Sequence, residues 1–123
     1  VRDALKRGDT FVFVVVDAPD EAGHAGDLPL KSRAIELFDE RIVGPVLEGL
    51  KAYDDWRVLV MPDHTTPVKI KTHHTDPVPF IVADAADMNK SGASRRYTEA
   101  DAVAAGLKEA QAYTLLEKYF FGK

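Results

Sequence analysis

The apolar positions follow two periods. Residues 11–16 form a continuous apolar run, Phe-Val-Phe-Val-Val-Val, too short for a helix. It predicts a buried strand over residues 10–16. Residues 57–61, with Val58-Leu59-Val60 at their centre, and residues 78–83 predict two more buried strands. Between the first and second strands, Ala34, Ile35, Leu37, Phe38, Ile42, Val43, Val46, Leu47 and Leu50 recur at three-and-four spacing, which marks an amphipathic helix. Gly44-Pro45 interrupts it, so a kink is expected, with Pro45 in the first turn of a second helix. Residues 68–72 alternate apolar and Lys, as an extended, half-exposed segment would. Residues 84–97 read as a polar surface loop. Thr98-Glu99-Ala100-Asp101 reads as a helix cap, with a stop at Gly106, and residues 108–121 predict a last helix. Residues 1–6 read as the end of a helix stopped by Gly8.

This order predicts an α/β fold with a mostly parallel sheet. Three or four strands are few for such a sheet. The chain also starts on Val1 in helix-like sequence, so it is expected to begin inside a larger protein. A length of 123 residues suits one domain or part of one. Cysteine is absent, which removes thiol catalysis, thiolate metal sites and disulfides and fits a cytoplasmic protein. The net charge of −4 argues against a nucleic-acid surface. No apolar run reaches membrane-spanning length.

The chemistry concentrates at strand ends. The first strand runs into residues 17–29, read as a loop, where Asp20 and His24 are spaced i, i+4. The second ends at Asp63-His64, and His73-His74 precedes the third. All four histidines of the chain lie in these three places. Open α/β sheets bind ligands beyond the carboxyl ends of their strands. If the strands are neighbours, two carboxylates and two or three imidazoles converge. That donor set suits manganese, zinc or iron better than calcium. It exceeds one tetrahedral site, so two metals are a natural reading, and two-metal clefts serve phosphoryl transfer and hydrolysis. Each pair alone has an ordinary explanation as a common surface pair, turn chemistry or an N-cap, or loop polarity. Asp17 and Glu21 are candidates to orient the histidines, whereas Asp27 reads as solvated.

The motifs carry a resemblance. Ala18-Pro19-Asp20-Glu21-Ala22-Gly23-His24, Asp39-Glu40-Arg41-Ile42-Val43-Gly44-Pro45, Leu59-Val60-Met61-Pro62-Asp63-His64-Thr65-Thr66-Pro67, and Thr72-His73 with Pro77-Val78-Pro79-Phe80 occur in this order over about residues 10–83. Together they resemble the C-terminal part of the cofactor-independent (2,3-bisphosphoglycerate-independent) phosphoglycerate mutases, archaeal type, of the alkaline phosphatase superfamily. The resemblance implies an alkaline phosphatase-like, partial three-layer αβα sandwich. It implies that residues 1–123 are a C-terminal fragment of the metal-binding phosphatase-like domain. Asp20, His24 and His73 would bind one divalent ion and Asp63 and His64 another. Manganese is the expected metal, with zinc, cobalt and magnesium as alternatives. The family's spacing to Pro77 selects His73 over His74.

The implied reaction is the isomerase step of glycolysis and gluconeogenesis that interconverts 2- and 3-phosphoglycerate through a phosphoserine. The chain departs from the family in several ways. The nucleophilic Ser, a further Asp ligand and the phosphotransfer lobe belong upstream, and Ser32, Ser91 and Ser94 stand in other contexts. Val15 takes the place of a His and His74 that of a Thr. The isolated chain is therefore expected to be inactive, to depend on the upstream part of the protein, and to self-associate through an exposed sheet edge. Alternatives are a phosphopentomutase, phosphonate-acting enzyme or phosphodiesterase of the same superfamily, or a non-catalytic metal-binding module.

Overall fold

Helix ends in this chain are set by caps and prolines. In the computed structural model, which describes residues 1–89, 96–109 and 111–122, helix α1 spans Arg2–Lys6 and is followed by Gly8 at φ 90°. Helix α2 spans Ala18–Ala25, with Pro19 in its first turn, where a missing N–H costs nothing. Asp20 and Glu21 also lie in that turn, favourably placed for the helix dipole. Gly26, at φ 73°, closes α2 in the left-handed conformation that glycine adopts without strain. Asp27 then turns extended and its carboxylate accepts the Leu30 N–H at 2.9 Å, which starts helix α3, Leu28–Phe38. Asp27 is thus a cap and not merely solvated. A π-helical turn, Asp39–Val43, joins α3 to helix α4, Gly44–Leu50, with Pro45 in the first turn of α4. The expected interruption at Gly44-Pro45 is present, and the wider turn accommodates the residue that cannot donate.

The chain divides into two compact units. The first is Val1–Tyr53 with His64–Asp76. Its buried residues are Ala22, Gly23, Leu50 and Thr66. Two expectations are corrected here. Residues 17–29 are not a loop, because proline at one end and glycine at the other frame a helix that the turn-like composition concealed. Residues 10–16 form no strand. Phe13 is 74% exposed and Val15 65% exposed. Strand propensity reports how well a side chain fits a pleated, half-covered surface, and without such a surface it specifies nothing. Residues 68–72 also differ from expectation. They make a turn, in which the Ile70 and Lys71 N–H groups donate to the Pro67 carbonyl at 3.0 and 2.9 Å. An antiparallel bridge between Thr65 and His74 closes the loop.

The second unit is Asp54–Asp63 with the chain from Pro77 onward. Strands β1, Arg57–Val60, and β2, Ile81–Asp84, pair antiparallel with Arg57 opposite Asp84 and Val60 opposite Ile81. Both lie within predicted strand regions, allowing a one-residue shift at Asp84, but their direction does not match the predicted parallel sheet. Residues 61–80 join them without a helix and are long enough for either direction, so the connection does not decide the pairing. Among the described residues the sheet has these two strands. Helix α5, Glu99–Ala105, is capped by the Thr98 hydroxyl, which accepts the Asp101 N–H at 3.1 Å, and stops at Gly106, φ 73°. The last predicted helix is reduced to α6, Thr114–Leu116, and a π-helical turn, Glu117–Phe121. Leu115 alone is buried there among the described residues, and so short a helix draws its stability from tertiary cover. Within residues 84–97, the part at 90–95 lies outside the described residues, as does Ala110.

Tyr97 ties this unit together. Its hydroxyl donates to the Pro79 carbonyl at 2.8 Å and lies 3.4 Å from that of Val60, beside both strands. Burial, reinforced by the Glu99 charge, pushes its pKa up to about 12 from the ordinary 10.0. Between these values the folded chain keeps a proton that the unfolded chain loses, so stability falls as pH rises. Tyr97→Phe is expected to cost about 1 kcal/mol near neutral pH, the worth of one hydrogen bond, and to flatten the loss between pH 10 and 12. Denaturant unfolding across that range checks both. An unaltered alkaline loss in the Phe variant would assign it to another group.

Candidate metal centre

Three side chains from two segments of the first unit meet in one place. One turn of α2 puts Asp20 and His24 on the same face. The Thr65–His74 bridge returns the chain to that face. His74 N–H donates to the Thr65 carbonyl at 2.9 Å, and the Thr65 hydroxyl donates to the His74 carbonyl at 3.0 Å. The residue just before the bridge, His73, then faces α2. His24 Nε2 lies 3.2 Å from His73 Nε2 and 3.4 Å from Asp20 Oδ2, and His73 Nε2 lies 3.6 Å from Asp20 Oδ1. One donor atom from each of the three residues falls within 4.8 Å of the others.

These separations are close to those around a single ion, with Asp20 turning Oδ2 to His24 and Oδ1 to His73. Ligand bonds of ~2.0–2.2 Å around a tetrahedral ion put neighbouring donor atoms ~3.3–3.6 Å apart. The chemistry of the donors agrees. His24 Nδ1 lies 3.1 Å from the Lys71 carbonyl, a group that can only accept. The ring proton is therefore assigned to Nδ1, and Nε2 carries the lone pair that faces His73. A histidine held in this way by a backbone carbonyl is the usual partner arrangement of metal ligands. Lys71 adopts φ 59°, the only left-handed residue other than glycine among the described residues. That conformation costs a side-chain-bearing residue ~1–2 kcal/mol. It aims the Lys71 carbonyl at the His24 ring.

Asp20 has its own support. The Thr66 hydroxyl donates to its Oδ1 at 2.5 Å. This hydrogen bond, with the nearby charges of His24, His73 and His64, holds the Asp20 carboxyl below its ordinary pKa of 3.8, against the opposing effect of burial. Thr66 is 3% exposed, and Lys31 Nζ donates to its carbonyl at 2.6 Å. Gly23, one turn below, leaves no room for a side chain. A Cβ there would press into the Thr66 carbonyl oxygen and come within 2.9 Å of its methyl carbon.

His64 lies beside the triad and His74 does not join it. The His64 ring stacks on His73 with centroids 3.7 Å apart and planes at 30°, and its Nδ1 lies 3.2 Å from the Thr66 hydroxyl. Asp63, joined to His64 by a peptide bond, falls in the second unit. His74 turns away from the triad to Asp76, Nδ1 to Oδ2 3.0 Å. Thr66, Lys31, Gly23 and the Lys71 carbonyl were not marked by sequence reasoning. The one signal was that Thr66 and Gly23 sit inside the two motifs bearing the acids and histidines.

Comparison with known proteins fits this geometry. A family described as the metalloenzyme superfamily matches residues 1–112. The 2,3-bisphosphoglycerate-independent phosphoglycerate mutase of Methanothrix thermoacetophila is 59% identical over 74 residues, covering 59% of this chain and 19% of the relative. That of Methanosarcina acetivorans is 54% identical over 88 residues, 69% of this chain and 22% of the relative. A probable 2,3-bisphosphoglycerate-independent phosphoglycerate mutase of Geobacter sulfurreducens is 42% identical over 115 residues, 94% of this chain and 28% of the relative. The chain thus spans between 19% and 28% of the length of these relatives. No solved structure matches. With a family match running from the first residue to 112 and across the whole Asp20, His24 and His73 cluster, the chain belongs to the metalloenzyme superfamily.

Proposed function

We propose that this chain is the metal-holding part of a cofactor-independent phosphoglycerate mutase. The observation that carries the reading is the Asp20, His24 and His73 cluster, in which one donor atom from each residue lies within 4.8 Å of the others. The names of the relatives direct it toward phosphoglycerate. Asp20, His24 and His73 hold one divalent ion, and Asp63 and His64 contribute to a second. Manganese suits this carboxylate and imidazole set, with zinc, cobalt and magnesium as alternatives. Two such ions would stabilise charge on the transferring phosphoryl group and on the attacking and leaving oxygens. The chain's own part is to fix donors. The Lys71 carbonyl holds the His24 tautomer, Thr66 holds the Asp20 carboxylate, and the Thr65–His74 bridge sets His73.

In the whole protein the nucleophile, by the family resemblance a serine that carries the phosphoryl group between the two hydroxyls of glycerate, comes from outside these residues. The same holds for the remaining strands of a parallel, three-layer sandwich. The reading places the protein in glycolysis or gluconeogenesis in the cytoplasm. Among the described residues no helix is long and apolar enough to cross a membrane. The exposed Phe13 and Val15 support self-association of the isolated chain.

A substrate panel tests the function. The protein at its full natural length, supplied with Mn²⁺, is expected to interconvert 2- and 3-phosphoglycerate without added 2,3-bisphosphoglycerate. It is also expected to turn over pentose phosphates, phosphonates and phosphodiesters at least ~100-fold less efficiently, a gap of about 2.7 kcal/mol in transition-state binding. A preference for any of the latter would move the protein to another branch of the superfamily.

A further inference from the structure

Thr66 does more than hold the Asp20 carboxylate. It is 3% exposed, and its hydroxyl oxygen has two side-chain partners. Asp20 Oδ1 lies at 2.5 Å and His64 Nδ1 at 3.2 Å. A carboxylate only accepts, so the hydroxyl proton points to Asp20. The oxygen lone pairs then face His64, which must present Nδ1–H. The whole chain of hydrogen bonds thereby acquires one direction, His64 to Thr66 to Asp20. Two consequences follow from that direction. His64 is fixed as the tautomer whose lone pair is on Nε2. Asp20 has Oδ1 engaged, and its Oδ2 is the oxygen that lies 3.4 Å from His24 Nε2.

We propose that Thr66 is a positioning residue that couples the two metal positions, its single hydroxyl fixing the free oxygen of Asp20 and the lone-pair nitrogen of His64 together. This rests on the reading of Asp20 and His64 as ligands of neighbouring ions. The hydroxyl is not needed to hold Thr66 in place. Its carbonyl is clamped by Lys31 Nζ at 2.6 Å, and its methyl and carbonyl pack against Gly23. Valine has the same shape as threonine and would keep that packing while removing both hydrogen bonds. Asp20 is 36% exposed on its side chain, so water replaces the lost donor and the fold is little affected. The orientation of the two ligands is what disappears.

The test uses the protein at full natural length. Mn²⁺ affinity is measured by electron paramagnetic resonance for wild type, Thr66→Val and Thr66→Ser. In parallel, ¹⁵N shifts of His64 in the metal-free protein read its tautomer. Thr66→Val is expected to bind Mn²⁺ ~10–100-fold more weakly, the usual effect of losing a hydrogen-bond partner of a ligand. Its metal-free melting temperature should stay near that of wild type, and His64 should no longer be held with its proton on Nδ1. Thr66→Ser should restore both readouts. Wild-type Mn²⁺ affinity in Thr66→Val overturns the proposal. So does equal impairment of the Val and Ser variants, because shape and not the hydroxyl would then be responsible. If Thr66→Val proves unstable, an unchanged His64 tautomer in Thr66→Ser and wild type supports the proposal, and Nε2 protonation in wild type overturns it. None of these readouts depends on turnover, so a protein that ignores phosphoglycerate leaves this inference standing.

Discussion

His73→Ala is expected to weaken divalent-metal binding by more than ~100-fold, beyond the 10–100-fold that loss of a ligand's own partner costs, while His74→Ala leaves it close to wild type. The two histidines are neighbours in the chain and both are exposed. Geometry separates them. His73 Nε2 lies 3.2 Å from His24 Nε2 and 3.6 Å from Asp20 Oδ1, whereas His74 pairs with Asp76 at 3.0 Å. Removing His73 leaves two donors, Asp20 and His24, both carried by α2. Two donors from one helix turn cannot close a coordination sphere, and Asp20→Ala is expected to act as severely because it removes the one carboxylate of the three donors. His74 contributes to the loop through its backbone bridge with Thr65, and alanine retains that bridge.

Gly23→Ala is expected to destabilise the first unit by about 2 kcal/mol. Two effects compete. Alanine in place of glycine inside a helix gains about 1 kcal/mol. Forcing a methyl into filled space costs about 1–3 kcal/mol, occasionally more. The obstacle at Gly23 is the Thr66 backbone carbonyl, itself held by Lys31, so it cannot swing aside as a side-chain tip would. The upper end of the cost therefore applies, and the loss wins. Displacing Thr66 also withdraws its hydroxyl from Asp20, so metal binding should weaken with stability. Gly49, in α4, gives the opposite sign. A Cβ there meets the Arg2 side chain at 3.4 Å or more, which is ordinary contact. Gly49→Ala should therefore gain part of the helix preference. Denaturant unfolding of the two variants decides the matter. A Gly23→Ala variant as stable as Gly49→Ala would mean that α2 and the residue 64–76 loop do not pack as described.

Much of the site was legible because ligand chemistry is local in sequence. The i, i+4 spacing of Asp20 and His24 requires only one helix turn to become a pair. The same stretch reads as a loop, because glycines and four acids obscure the proline start and glycine stop that define α2. His73 over His74 was supplied by a family resemblance. The physical reason is the Thr65–His74 bridge, which alternating residues cannot reveal because it depends on a turn at residues 68–70. The roles of Thr66 and Lys71 were not legible, although Thr66 sits inside the motif that carries Asp63 and His64. Their contributions lie in a hydroxyl direction and a strained carbonyl, and neither leaves a trace in residue type.

The fold was less legible than the site. Asp27, which reads as solvated, caps α3, whereas the helix cap at Thr98, the stop at Gly106 and the break at Pro45 work through neighbours in the chain and appear where local chemistry puts them. The direction of a sheet does not. Residues 10–16 have every strand preference and form none, because pairing depends on what lies alongside. Strands β1 and β2 lie at their expected positions, yet they pair antiparallel, a direction that the residues of either strand do not encode.

The central claim is that Asp20, His24 and His73 together hold the ion on which phosphoglycerate interconversion depends. Turnover of 3-phosphoglycerate against Mn²⁺ concentration, in the full-length protein stripped of metal, tests it most directly for wild type, His73→Ala and His74→Ala side by side. The account predicts saturation at low Mn²⁺ for wild type and His74→Ala, and little or no activity for His73→Ala until Mn²⁺ is raised more than ~100-fold. Identical Mn²⁺ dependence in His73→Ala and wild type would contradict it.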